Sequence, residues 1–153
     1  MRRRSSTPRA KAIKPRKRKY KHKTERQKLE ELAHDVCREF VFARDPWCVT
    51  CGMPREREDI VFHPSHVFPR TRDTTAYDPD NVYRQCKTCH FKHHNERFTQ
   101  KPLLDYVRKR LGEERLDAME FRSNHVANYT MDDLRAIIAD LRQRRRELEG
   151  RDA

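Results

Sequence analysis

The chain is short of apolar residues, and the shortage shapes everything else in it. Of 153 residues, 35% are hydrophobic against 39% charged, too few to build a large core unaided. No run of about 18 apolar residues is present to cross a membrane, and no apolar segment follows the basic start as a secretory signal requires. A cytoplasmic protein is expected, where thiols stay reduced and paired cysteines are better read as metal ligands than as disulfides. Acidic residues are also missing where they would matter most. Residues 1–23 hold twelve Lys or Arg and no Asp or Glu. Beyond them 24 basic residues meet 24 acidic ones, so the net charge of +12 belongs to this segment. With Pro8 and Pro15 among like charges, 1–23 reads as a disordered basic arm. Such an arm binds phosphate backbones by counterion release, or serves as a localisation or solubilising tail.

What the chain does have is cysteine in pairs. Cys48-Val49-Thr50-Cys51 and Cys86-Lys87-Thr88-Cys89 carry the spacing at which a tight turn aims two thiolates at one tetrahedral ion. Two such pairs make a closed Cys₄ site for structural Zn²⁺, with redox dithiols as the alternative. Zinc would supply the folding free energy that so small a core cannot. Cys37, left over within a helical pattern, reads as a small buried hydrophobe.

Periodicity divides the rest. Leu29, Leu32, Val36, Phe40 and Val41 mark a helix from Thr24 to about Ala43, ended by Asp45-Pro46. Ile60-Val61-Phe62 and His66-Val67-Phe68 read as two short strands parted by Pro64, and 69–79 as polar loop. Lys87 to Phe98 is a helix candidate. Pro102 opens another helix that Gly112 stops, Glu113 to Phe121 forms a short one, and Thr130-Met131-Asp132-Asp133 begins a last helix with Leu134, Ile137, Ile138, Leu141 and Leu148 on its apolar stripe. The expected organisation is a basic arm (1–23), an N-terminal helix (24–45), a zinc-stapled core (46–99) and a helical region (100–150). No internal repeat is visible.

The histidines beside the second pair bring in chemistry. On a helix, His90 and His94 stand at i and i+4 and can share one divalent ion between them. His66, in the preceding hairpin, is placed to act as general base toward a water attacking a phosphodiester, while the ion neutralises the developing charge. Asn81 is placed to orient that base. Taken singly, His66 is equally a structural histidine and Asn81 a turn residue. Arg70, Arg72, Arg84 and Lys92 surround the site as a phosphate clamp or as a solvated basic face. Tyr77 and Tyr83 either stack on bases or pack against the zinc turn.

The order Cys-x-x-Cys, His66, Asn81, Cys86-x-x-Cys89-His90-x-x-x-His94 resembles the HNH nucleases of the ββα-metal, or His-Me finger, class. The resemblance implies an α+β, mostly helical fold with a zinc-stapled ββα core flanked by helices. It also implies His66 as base, Asn81 as its support, and His90 with His94 as ligands of a catalytic Mg²⁺, Mn²⁺, Ni²⁺ or Zn²⁺. "FVFARDPWCVTCG", "DPDNVYRQCKTCH", "LLDYVRKRLGEERLDAME" and "NYTMDDLRAIIADLRQRRREL" are together similar to the phage NinG/Rap recombination endonucleases over about residues 27–149. That similarity implies a DNA endonuclease acting on branched intermediates, a Holliday junction or D-loop, in the host cytoplasm and as a possible homodimer. The alternatives are a homing or packaging-associated nicking enzyme and a non-catalytic zinc-stapled DNA-binding protein. Two positions depart from the pattern. Ser65 stands where many such sites have an acidic or histidine ligand, with His63 as a substitute candidate, and His90 stands where NinG-like chains commonly have Asn.

Overall fold

The structure, a computed structural model, describes residues 22–71, 73–95 and 101–150; the basic arm up to residue 21 and Arg72 therefore lie outside the described residues. Helix α1 (Glu25–Arg44) begins at Thr24, whose hydroxyl accepts from the Gln27 N–H while the Gln27 side chain accepts from the Thr24 N–H. This reciprocal cap satisfies two of the donors that a helix start leaves open. The buried stripe of α1 is Ala33, Val36, Cys37, Phe40 and Val41. Leu32, expected on that stripe, falls on the exposed side.

At the end of α1 the chain is fastened to the rest of the molecule. The Arg44 guanidinium makes two 2.7 Å bonds to the Asp45 carboxylate and donates to the Pro79 and Val82 carbonyls. Asp45 is itself buried and accepts from the Arg84 N–H. Fork geometry of this kind fixes orientation as well as charge.

The hairpin differs from its expectation. Instead of two strands broken at Pro64, a single strand β1 (Phe62–His66) runs through the proline and pairs antiparallel with β2 (Val82–Cys86), Phe62 opposite Cys86 and His66 opposite Val82. Among the described residues the sheet has only these two strands. Each strand keeps an open edge, where a proline without an N–H costs no ladder bond. Helix α2 (Lys87–Asn95) follows β2 directly, its first N–H bonded to the Val61 carbonyl.

Helix α3 (Lys101–Leu111) ends at Gly112, whose φ of 84° is a conformation that side chains rarely adopt, and α4 (Glu113–Ser123) starts there. A second capping box, Thr130 with Asp133, opens α5 (Met131–Glu149). The apolar stripe of α5 lies against α1: Leu134, Ile138 and Leu141 join Val36, Phe40, Val41, Tyr77 and Val82 in one core. That stripe is an intramolecular seam, closed to a second copy. A separate core gathers Val49, Tyr83, Leu103, Val107, Leu116 and Met119, so α3 and α4 cover the other side of β2. Tyr77 and Tyr83 are both buried, which argues against base stacking; Tyr83 packs beside Val49 of the cysteine turn, whereas Tyr77 joins the α1–α5 core instead. Cys37 is buried and its thiol is pushed up to about 12 by that burial, as befits an inert core residue. No helix among the described residues is long and apolar enough to cross a membrane.

Candidate functional site

The four paired cysteines converge. Cys48 and Cys51 lie on a turn that closes with the Gly52 N–H on the Cys48 carbonyl and the Cys48 N–H on the Met53 carbonyl. Gly52 takes the positive φ of 72° that this turn needs. Cys86 is the last residue of β2 and Cys89 sits in the first turn of α2. Their sulfurs all lie within 4.8 Å of one another, and Cys51 Sγ is 3.8 Å from Cys86 Sγ. A tetrahedron with Zn–S bonds of about 2.3 Å has edges of about 3.8 Å, so the donor set fits zinc. None of the four is in a disulfide. Burial pushes the Cys51 and Cys89 thiols up. At Cys48 burial acts in the same sense, but hydrogen bonds from the Cys86, Cys51 and Thr50 backbone outweigh it and the thiol falls. Four crowded sulfurs of this kind ionise together only around a cation.

Beside this knuckle lies a cleft of about 730 Å³ that brings His66, His90, His93 and His94 together with Arg70, and α3 and α4 form its facing wall. The Nε2 atoms of His90 and His94 are 3.2 Å apart. Metal–nitrogen bonds of about 2.0–2.1 Å place adjacent nitrogens about 3.0–3.4 Å apart, so this pair is spaced to share an ion. The His90 ring also hydrogen-bonds the backbone of Pro64, which, lacking an N–H, can only offer its carbonyl. A carbonyl behind a ligating imidazole fixes its tautomer and direction. Burial, then the neighbouring His94, His63 and His93, lower His90 to about 4, so its ring is neutral at pH 7.

His66 closes β1 and faces the same cleft. Its Nε2 lies 3.2 Å from the Ala76 carbonyl, a contact that only a protonated nitrogen can make, so Nδ1 carries the lone pair. Burial is the main cause of its lowering to about 4, with His34, Arg70 and His94 adding to it and the Ala76 bond opposing. The ring therefore stands neutral at pH 7, in the protonation state of a base.

Several side chains do something other than the sequence suggested. Asn81 is fully buried, but it grips the strand connection and not the His66 ring: its Oδ1 accepts from the Phe68 N–H and its Nδ2 donates to the Phe68 and Thr75 carbonyls. Its backbone carbonyl accepts from the Val67 N–H, next to His66 in the chain. Arg84, grouped with the phosphate clamp, is 8% exposed; it donates to the Phe42 and Asp45 carbonyls and lies over the Phe42 and Phe62 rings. It belongs to the packing. Arg70 lines the cleft and Lys92 is exposed on α2. Ser65 is 0% exposed, opposite Tyr83 in the sheet, so it offers nothing to the cleft. His63 stacks on His90 with ring centroids 5.0 Å apart.

His93, off the His90/His94 face, is expected as a phosphate contact or a surface residue. It is instead 5% exposed, and its Nε2 lies 3.2 Å from the His66 carbonyl, tying α2 to the strand that carries His66. A signal for it exists: Cys89 and His93 stand at i and i+4, so the helix face that meets the cysteine cluster also carries His93.

The family described as NinG, Bacteriophage Lambda NinG protein, matches residues 1–151. No curated protein and no solved structure matches the chain.

Proposed function

The chain belongs to the bacteriophage lambda NinG family, associated with phage recombination, and on that premise we propose that it is a metal-dependent DNA endonuclease of the HNH class acting on branched recombination intermediates. One observation carries this reading. His66, with Nε2 committed to the Ala76 carbonyl, shares a cleft with a histidine pair whose Nε2 atoms are spaced for one ion. In this reading the Nδ1 of His66 takes the proton of a water that attacks phosphorus, and as the new P–O bond forms the opposite one breaks, its sugar oxygen leaving as a hydroxyl with a proton from solvent. His90 and His94 would hold a divalent ion, Mg²⁺ or Mn²⁺ or a softer Ni²⁺ or Zn²⁺, which when bound would supply neutralisation of charge on the phosphate. Arg70 and Lys92 hold flanking phosphates. The basic arm adds sequence-independent grip, and removing residues 1–23 flattens the salt dependence of binding.

Product mapping on a four-way junction beside a linear duplex, with Mg²⁺ or Mn²⁺, tests both reaction and substrate. Cleavage at the junction is expected, falling by about 10²–10⁴-fold in His66→Ala while DNA binding and zinc content persist. Equal cutting of the linear duplex would instead favour a homing or packaging-type nickase. A second reading has its own support in the burial of Ser65, which leaves β1 without the ligand that many HNH sites have. If both DNAs stay intact with either ion, a zinc-stapled DNA-binding protein is the better account.

A further inference from the structure

The histidine pair offers an ion two imidazole nitrogens and no oxygen. Mg²⁺ and Mn²⁺ take oxygen ligands by preference, and with Ser65 buried on the other side of β1 the strand supplies none. The facing wall does. Asp117 and Glu120 of α4 both line the cleft, and at i and i+3 they share one face of the helix. Both are exposed. Among the described residues neither side chain has a hydrogen bond or ion pair, whereas the adjacent Arg108 is taken by Glu113 and Asp105.

Two carboxylates on the wall of a cleft repel a phosphate that enters it, and the cation acting on Asp117, Arg108, is already held by Glu113 and Asp105. A cation between carboxylate and phosphate reverses the sign of that interaction. A second, independent feature points the same way. His93 lines the same cleft, is 5% exposed, and keeps its Nδ1 buried without a partner. A buried ring nitrogen of this kind is ordinarily satisfied by something held in the site, such as an ordered water.

We propose that Asp117 and Glu120 on α4 supply the oxygen ligands, directly or through bound water, of the divalent ion held by His90 and His94. The site would then span two parts of the chain, with nitrogen from α2 and oxygen from α4. This inference rests on the reading of the cleft as a nuclease ion site.

The test uses zinc-loaded, full-length protein titrated with Mn²⁺ and followed by loss of the free-ion electron paramagnetic resonance signal. Asp117→Asn and Glu120→Gln are each expected to weaken Mn²⁺ binding by about 10-fold or more, and the double substitution by more again. Ni²⁺, which imidazole nitrogens hold well, should change less. Glu114→Gln on the same helix should change neither, and zinc content and helicity should stay constant throughout. A double variant that binds Mn²⁺ as the wild type does overturns the inference, even if His66→Ala still abolishes cleavage. Wild-type protein that binds Mn²⁺ through these carboxylates yet cuts no DNA leaves the inference standing and removes the nuclease reading. No Mn²⁺ binding by the wild type overturns the inference, and junction cleavage with Mg²⁺ or Ni²⁺ then decides the nuclease reading separately.

Discussion

The α1–α5 layer and the cysteine knuckle are held together by different means. Between the two helices lies a continuous apolar core, with Ala33, Val36, Phe40 and Val41 of α1 against Leu134, Ile138 and Leu141 of α5. Around the knuckle the buried cluster is Cys48, Phe62 and Cys86, two of the three belonging to the sulfur set that fits zinc. One region is stabilised by area removed from water, the other by donors gathered for coordination. The apolar residues gather between α1 and α5 and, around Val49 and Tyr83, on the α3–α4 side of β2, while the knuckle offers four sulfurs that could hold a metal.

That contrast can be broken in several ways. Stripping zinc with a strong chelator should have the largest effect, since a structural site contributes about 10–16 kcal/mol of binding. Protease should then cut between residues 48 and 95 while α1 and α5 stay helical by circular dichroism; simultaneous loss of both would show the two regions to be one cooperative unit. Leu141→Ala should cost about 2–5 kcal/mol in denaturant unfolding without changing zinc content per folded molecule. Acid should act on the histidine side. Burial holds His66 and His90 down to about 4 and lowers His93 as well. The unfolded chain takes up these protons from about pH 6.5 downward and the folded chain does not, so stability falls as pH drops from 6.5 toward 4 and is flat above. His66, the more enclosed of the two, contributes up to about 3 kcal/mol of this. His66→Gln should flatten that limb in urea melts taken across the range. The smallest effect sharpens the helical side: Thr130→Ala removes the cap of α5 and should cost about 1 kcal/mol, read as a shift in the thermal midpoint.

The sequence disclosed best what depends on neighbours. The cap at Thr130, the stop at Gly112 and the cysteine turns are local chemistry, and Thr24 and Thr130 stand where their helices begin. It disclosed worst what depends on distance. Pro64 broke the apparent strand because a proline's tolerance depends on which edge is open, and the partner Val82–Cys86 comes from beyond a long connection. Arg84 and Lys92 look alike as letters. Only the fold puts Arg84 between two phenylalanine rings and leaves Lys92 exposed. The histidine spacing at 90 and 94 was legible, whereas the α4 wall of the cleft was not, since nothing local says which surface a short amphipathic helix will face.

The three hydrogen bonds of Asn81 bear on chain entropy as well as on geometry. Closing a connection as long as 67–81 costs on the order of 2–3 kcal/mol, and a lone pair of strands is marginal in water. With one amide gripping Phe68 and Thr75, much of that freedom is removed by a single side chain from inside the connection. The register of β1 on β2, and with it the direction in which His66 points, is thus set as much by the loop as by the ladder.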